Sequence, residues 1–350
     1  MVIKIINIVT GIGCRLTTIK CASAFFLITV MFSGKLSAQD PQFSQFYANP
    51  LYLAPSFAGL TEGSRLGANY RNQWPELPGQ FVTYTFSYDH WFDQYDSGAG
   101  ILFMQDMAGS GNLRTTNIGV QYSYDFPINR EWHMRPGVHF FYTERAIDFD
   151  KLIFSDQITP GGQRPTTIEV PPLQSRGGVD FSFSALAYSE LYWGGFAVDH
   201  LLRPNHSLYE FEGDDDANAF VPIKYSVFGG TKFSRGGRTI RRLEQSLQLA
   251  FLFRQQGPFN QFDLGMYWYQ SPLVIGAWYR GIPGLSTGGQ DAVIFLVGYK
   301  VDQFNIGYSY DFPISQLLGS TGGAHEISIT YSWTSIRIPK KPRMVPCPEF

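Results

Sequence analysis

Cysteine, charge and long apolar runs are all scarce in this sequence. Three cysteines occur in 350 residues, and charged residues make up 16% of the chain, where soluble domains average about 25%. Cys14 and Cys21 lie within the first 38 residues, so the remainder keeps only Cys347 and can form no internal disulfide. The remainder also lacks the run of about 20 apolar residues that a membrane-spanning helix requires. With a net charge of -2, the composition gives no bulk electrostatic case for binding nucleic acid.

Residues 1–38 have the pattern of a secretory signal peptide. Lys4, Arg15 and Lys20 precede an apolar run at 22–32, and small residues precede a predicted cleavage before Gln39. A transmembrane anchor is the alternative, but the apolar run has only about half of the roughly 20 residues that a spanning helix needs. We therefore expect export through the Sec pathway.

What the remainder does contain is aromatic residues and glycine. Aromatic residues make up 16% of the chain, there are 36 glycines, and the mean hydropathy is -0.11. Short segments alternate with period two: in the first, Leu66 and Tyr70 share one face while Arg65 and Arg71 share the other. This combination is typical of an outer-membrane β-barrel, whose lipid-facing residues are spread by alternation. A soluble β-sandwich is the alternative, but it would carry more charge and fewer aromatic residues.

The alternating pattern predicts about fourteen antiparallel strands, or twelve if one weak hairpin is lost. The weakest strands are 191–200 and 272–281. We expect one barrel domain over 63–338, followed by a Pro-rich, basic periplasmic tail at 339–350. The predicted strands are 63–75, 79–91, 97–107, 112–125, 131–143, 178–189, 191–200, 222–233, 244–254, 259–269, 272–281, 290–301, 303–312 and 325–333.

Loop lengths predict an orientation. With a periplasmic amino terminus, the long connections 144–177 and 202–221 are external, and the tight turns 189–190, 270–271 and 301–302 are periplasmic. The connection at 234–243 is long for the periplasmic side and basic, as is the tail. These basic groups are either solvated or lipid-contacting, or they dock an acidic periplasmic partner. The residues are Arg235, Arg238, Arg241, Arg242, Lys340, Lys341 and Arg343.

Residues 39–62 form an irregular, Pro-broken segment ahead of the first strand. Burial of each of its many apolar side chains is worth roughly 1.5–3 kcal/mol. We therefore expect the segment to pack at the periplasmic mouth or inside the lumen as a partial plug, with Pro50 and Pro55 fixing its turns. The candidate plug or partner-binding residues are Asp40, Pro41, Phe43, Phe46, Tyr47, Asn49, Pro50 and Pro55.

The sequence contains no recognisable catalytic, metal-binding or cofactor-binding motif. The six histidines form no HExxH pair, no GxSxG is present, and no cofactor motif was found. The acidic stretch at 210–216 is interpreted as a solvated loop, with a calcium site as the alternative. The heptapeptide YSYDFPI occurs at 122–128 and again at 308–314. We interpret both copies as strand exits, in which Asp and Pro end the pairing.

Several motifs together resemble one known family. They are DPQFSQFYANPLYLAPSFAG at 40–59, NYRNQWP at 69–75, YDFPI at 310–314, TGGAHEISITYSW at 321–333 and the terminal CPEF. In this order they are similar to the PorP/SprF family, outer-membrane proteins of the type IX secretion and gliding-motility system of Bacteroidota. The frame formed by Asn49, Pro50, Pro55 and Gly59 is the most specific part. Ala54-Pro55-Ser56 departs from the expected Asn-Pro-Ala.

The resemblance implies a non-enzymatic role. Family members support secretion or surface attachment of adhesins with type IX C-terminal signals, and they are linked to the periplasmic ring and its peptidoglycan-associated lipoprotein. The expected partners are therefore an adhesin, this periplasmic machinery and outer-membrane lipid. Two alternatives remain at this point. One is a channel for a small or apolar solute, lined by Arg65, Arg71, Arg135 and His139, and the other is a barrel hydrolase.

Overall fold

Fourteen antiparallel strands form a closed barrel in the computed structural model, which describes residues 39–61, 63–79, 81–159, 162–168, 173–208, 219–235, 245–281, 292–314 and 321–333. All fourteen predicted strands are confirmed, with ends shifted by a few residues. The strands are β1 (Ser64–Gln73), β2 (Phe81–Phe92), β3 (Ser97–Ala108), β4 (Leu113–Tyr124), β5 (His133–Ala146), β6 (Ser175–Tyr188), β7 (Tyr192–Asp199), β8 (Lys224–Arg235), β9 (Gln245–Gln256), β10 (Phe259–Gln270), β11 (Leu273–Arg280), β12 (Ala292–Val301), β13 (Phe304–Pro313) and β14 (Ala324–Trp333).

Each strand pairs with its neighbours in the chain, and the barrel closes where β14 meets β1. In this seam Ser64 lies opposite Trp333, and Gln73 lies opposite Ala324. Two short ladders add to the barrel: Phe126–Pro127 extends the pairing of β4 with β5, and Ile158–Thr159 pairs with Gly162–Gln163 in the long connection after β5. Closure gives every strand of the wall a paired neighbour on both sides, which is the condition for β-structure to span a bilayer.

The two faces of the wall differ in chemistry because neighbouring side chains of a strand point to opposite sides. On β4, Ile118, Val120 and Tyr122 point outward and are exposed, whereas Gln121 and Ser123 point inward and are buried. The same alternation continues around the barrel. The inward face is polar on β4 but apolar on β9 and β11, where Leu252 and Trp278 are buried, so the interior is mixed. The broad apolar outer belt fits insertion in a lipid bilayer.

Strand connections distinguish two ends of the barrel. At the short-turn mouth, β6–β7, β10–β11 and β12–β13 are joined through 189–191, 271–272 and 302–303. At the long-loop mouth, β5–β6 and β7–β8 are joined through 147–174 and 200–223. The predicted asymmetry is therefore present, although the β9–β10 turn at 257–258 is tight and lies at the long-loop mouth.

Among the described residues, the helices are short and are not part of the strands of the wall: α1 (Pro50–Leu53) and the 3-10 turns Pro55–Phe57, Phe149–Lys151 and Ser155–Gln157. None of the helices in the described ranges has the length and apolar content needed to span a bilayer. The predicted signal peptide, the acidic stretch at 210–216 and the tail at 339–350 lie outside the described residues.

Candidate functional site: a segment through the lumen

Residues 40–60, called the lumen segment below, run through the interior of the barrel. Asp40 contacts residues at the strand ends of the long-loop mouth, and Ala58 contacts residues near the short-turn mouth. Between them, the side chains of Phe43, Leu51 and Phe57 are each at most 1% exposed. The sequence predicted that this segment lies either at the periplasmic mouth or in the lumen. In the structure it lies in the lumen.

The first anchor joins Asp40 to His200, Lys224 and Gln256 at the long-loop mouth. The Asp40 carboxylate lies 2.9 Å from His200 Nε2 and 2.8 Å from Lys224 Nζ. It also accepts a hydrogen bond from Gln256 Nε2 at 3.1 Å. Burial alone would raise the pKa of Asp40, but the charges of His200 and Lys224 outweigh burial and hold that pKa well below its ordinary value.

His200 is held between two carboxylates. Its Nδ1 lies 2.6 Å from Asp180 Oδ2, while its Nε2 faces Asp40. Burial disfavours the imidazolium, but the two carboxylates outweigh burial and raise the pKa of His200 to about 10. His200 is therefore protonated at neutral pH, and the first anchor is a set of partly buried ion pairs.

The second anchor is formed by Ser44 and Gln45. The Glu326 carboxylate accepts the backbone N–H of Ser44 at 2.7 Å and that of Gln45 at 2.9 Å. The Ser44 hydroxyl donates to Asp311 at 2.6 Å and accepts from Arg71 Nη1 at 2.8 Å. These contacts tie the segment to β1, β13 and β14.

The charges behind the second anchor balance. Three arginines face three carboxylates, and all six side chains are buried or nearly so. Buried charges persist only when they are paired and hydrogen-bonded. This network therefore forms a charge-neutral binding site for Ser44 and Gln45 of the lumen segment. Its members are Arg71, Arg254, Arg280, Asp263, Asp311 and Glu326.

Aromatic packing fills the lumen between the anchors. Phe46 meets Trp278 edge-on at 5.0 Å between ring centroids, and Tyr47 meets Tyr267 in the same way at 4.6 Å. Phe57 packs against Phe228 at 5.5 Å. These rings belong to one buried cluster, and burial of each is worth about 1.5–3 kcal/mol. An apolar core inside the barrel stabilises the segment there.

The third anchor holds residues 56–59 near the short-turn mouth. Arg135 Nη2 donates to the carbonyls of Ala58 at 2.6 Å and Gly59 at 3.2 Å. The backbone N–H of Ser56 donates to Ser184 Oγ at 2.8 Å, and that of Gly59 to Asp89 Oδ2 at 2.9 Å. The chain therefore leaves the lumen along a fixed path into β1.

Two wall glycines allow the close approach of the third anchor. A Cβ at Gly98 would overlap the carbonyl of Ala58, and a Cβ at Gly137 would overlap the backbone of Ser56. Only glycine at these inward positions lets the two backbones touch.

A small cavity of about 40 Å³ lies beside the first anchor. His139, Asn117 and Ser182 line it, and His139 Nε2, Asn117 Oδ1 and Ser182 Oγ have no hydrogen-bond partner among the described residues. At roughly 10–15 Å³ per water molecule, the cavity has room for about three. We expect buried water here to satisfy the three polar atoms. In the part of the chain that the structure describes, no group of three or more His, Cys, Asp or Glu residues could hold a metal ion.

The sequence-predicted site residues fall into two sets. Those of the amino-terminal set all lie in the lumen segment: Asp40, Pro41, Phe43, Phe46, Tyr47, Asn49, Pro50 and Pro55. Of the basic set, Arg235 ends β8, and its side chain is not described. The others lie outside the described residues: Arg238, Arg241, Arg242, Lys340, Lys341 and Arg343. Whether either set contacts a partner remains a prediction.

Sequence reasoning missed the wall residues that receive the segment, above all Glu326, Asp311, Arg280 and His200. One signal was available for Asp311, which lies in the repeated heptapeptide. Asp311 and its counterpart Asp125 both point inward and are buried, and Asp125 binds His133 and the Tyr188 hydroxyl. Inward-facing carboxylates on apolar strands require buried partners.

Comparison with known proteins gives one family. The model of the family described as type IX secretion system membrane protein PorP/SprF matches residues 35–331. No curated protein sequence matches the chain. Among solved structures, the chain is similar to the outer membrane protein Omp33 of Acinetobacter baumannii, with 7% identity, a TM-score of 0.43 and coverage of 79% of this chain and 100% of that chain. It is also similar to KdgM porin, with 8% identity, a TM-score of 0.35 and coverage of 77% and 99%.

Proposed function

The chain belongs to the PorP/SprF family of type IX secretion system membrane proteins, and from this we propose that it is a non-enzymatic platform in the outer membrane of a Bacteroidota-type bacterium. It supports secretion or surface anchoring of an adhesin that carries a type IX C-terminal signal. The signal peptide at 1–38 delivers it through the Sec pathway. Membership in a secretion-system family that is not an enzyme family supports the absence of catalysis.

The filled lumen is the observation that favours a platform over a channel. Arg65, Arg71 and Arg135 point inward, as the channel alternative requires, but each is committed to a buried carboxylate or to the lumen segment. His139 faces the small cavity instead of an open pore. A channel would first have to release three anchors and an aromatic core.

The long-loop mouth is the proposed adhesin face. The connection 147–174 exposes three isoleucines, Ile153, Ile158 and Ile168, at 58%, 69% and 84%. Exposed apolar groups on loops are typical of binding surfaces. The short-turn mouth and the basic residues at 235–242 and 340–343 are the proposed contacts with the periplasmic ring and its lipoprotein, which would present acidic groups.

Deletion of the gene tests the platform. We expect one adhesin to disappear from the cell surface while other proteins with type IX signals are still secreted. Complementation with the wild type restores the adhesin. The variant Ile153→Ser, Ile158→Ser, Ile168→Ser is expected not to restore it, although it reaches the outer membrane. A control is Lys151→Ser, which changes an exposed polar residue of the same connection and leaves its three isoleucines in place. An unchanged surface proteome after deletion would contradict the proposal.

Conductance of the purified barrel in planar bilayers tests the channel alternative. We expect no open-channel current from the wild type. A stable current that falls when Arg71 or Arg135 is replaced would favour transport over the platform.

A further inference from the structure

The direction of the lumen segment has a consequence for the position of the amino terminus. Asp40 contacts Lys224 at the start of β8, Gln256 at the end of β9 and His200 just after β7. All three positions belong to the long-loop mouth. β1, in contrast, begins at the short-turn mouth, where Ser64 pairs with Trp333.

The contacts between these ends follow one another in order. Ser44 contacts Asp311, two residues from the long-loop end of β13, and Asn49 contacts Thr85 in the middle of β2. Ser56 then contacts Ser184 on β6, and Ala58 contacts Ser123, one residue from the short-turn end of β4. The segment therefore crosses the whole wall height. A plug that entered and left by the short-turn mouth would bring Asp40 close to Trp333 instead.

We propose that the mature chain presents its amino-terminal end at the cell surface, beside the long loops, although its first strand begins at the periplasmic mouth. This inference rests on the orientation in the proposed function, with the long-loop mouth outside. It makes the start of the mature chain part of the external face that an adhesin meets.

Length and energetics allow this path. A ten-residue strand rises about 33 Å, and the stretch from 40 to 60, which is about twice as long in residues, can cover that height even with the helical turn α1. Ion pairs hold the outer end, and the side chains of Asp40 and Lys224 there are 22% and 12% exposed. The outer end is therefore partly open to solvent, whereas Phe57 at the inner end is fully buried.

Cysteine labelling on intact cells tests the inference. In a Cys347→Ser background, Gly-Ser-Cys-Gly is inserted between Gln39 and Asp40 and treated with a membrane-impermeant maleimide. The insertion is used because Gln39→Cys would create Leu-Ser-Ala-Cys at 36–39, the form of a lipoprotein signal. Ile168→Cys reports the long-loop mouth, and Asp302→Cys reports the short-turn mouth. Retained gel-mobility change on heating shows that each variant is folded.

We expect the inserted cysteine and Ile168→Cys to label on intact cells, and Asp302→Cys to label only after the outer membrane is permeabilised. Labelling of the inserted cysteine only after permeabilisation, with Ile168→Cys labelled on intact cells, would overturn the inference. Labelling of Asp302→Cys on intact cells, with Ile168→Cys labelled only after permeabilisation, would contradict the orientation in the proposed function. If the inserted cysteine reacts in neither state, an epitope of about ten residues at the same place is probed with antibody on intact cells. Absence of antibody binding would also overturn the inference.

Discussion

The carboxylate of Glu326, on the last strand of the barrel, accepts the backbone N–H of Ser44 in the lumen segment at 2.7 Å. The same carboxylate pairs with Arg71 at 3.1 Å. Glu326 thus binds the lumen segment and an arginine of the first strand at once. It connects the filling of the lumen to the closure of the wall.

Replacement of this carboxylate should weaken the whole barrel. Glu326→Gln keeps the side-chain shape but leaves the charge of Arg71 incompletely paired in a buried site. Breaking a buried pair costs about 3–5 kcal/mol. We expect a clear loss of thermal stability in detergent micelles, measured by circular dichroism and by heat-dependent gel mobility. Glu131→Gln, in an exposed turn, is the matched control. Equal melting of Glu326→Gln and the wild type would show that the second anchor contributes little.

The first anchor should control only the outer end of the lumen segment. Asp40→Asn removes the charge that pairs with His200 and Lys224. Hydrogen bonds to charged groups contribute about 1.5–3 kcal/mol, which corresponds to roughly 10- to 100-fold in an opening equilibrium. We expect faster amide hydrogen exchange by that factor at 40–44 and unchanged exchange at 56–60.

Asp156→Asn provides the control for Asp40→Asn, because the hydrogen bonds of Asp156 to described residues lie within the long connection after β5, to Thr167 and Ile168. It should leave exchange at 40–44 at the wild-type rate. Uniform acceleration over the whole segment in Asp40→Asn would mean that the anchors act as one unit.

Alkaline pH should weaken the first anchor through His200. Its pKa in the folded protein is about 10, above the ordinary value of about 6.5. The ion pairs of His200 therefore contribute fully below about pH 6.5, and this contribution is lost as pH rises towards 10, by up to about 1.4 kcal/mol per unit. We expect the melting temperature to fall between pH 6.5 and 10 more steeply in the wild type than in His200→Gln. Parallel curves for the two proteins would contradict the assignment.

Close contact at the third anchor should make one glycine irreplaceable. Gly98→Ala places a methyl group against the Ala58 carbonyl, and overpacking of this kind costs about 1–3 kcal/mol. Gly194→Ala is the matched control, because its nearest atom would be the Phe228 carbonyl at 3.5 Å, an ordinary contact. We expect denaturant unfolding at lower urea concentration for Gly98→Ala alone. The same midpoint for both variants would show that the segment shifts to make room.

Alternation made the wall predictable from sequence. The inward Arg65 and Arg71 and the outward Leu66 and Tyr70 follow from a period of two, which any strand must obey. Burial of the lumen segment was predictable because its many aromatic side chains favour burial, but the sequence left open whether they lie at the periplasmic mouth or in the lumen. The direction in which it crosses the lumen was not predictable, since that depends on which wall residues meet each anchor.

Partners across the lumen could not be derived from spacing. Ser44 and Glu326 are 282 residues apart, and only the closed barrel with its shear between strands brings them together. The repeated heptapeptide shows that local sequence does not determine which buried partner a residue has. Its two aspartates, Asp125 and Asp311, were interpreted as strand exits, yet both are buried in ion pairs or hydrogen bonds at opposite ends of the barrel. Pairing in a buried network depends on three-dimensional register, which local sequence does not contain.

The seam between β1 and β14 sets the order in which this protein can assemble. β14 pairs with β1 and also supplies Glu326 and Ser328, which bind Ser44 and Gln45. The lumen segment can therefore make its full set of contacts only after the last strand is in place. Contacts of such long sequence separation form slowly. We therefore expect threading of the segment and closure of the seam to be late, coupled steps of assembly, because both need β14.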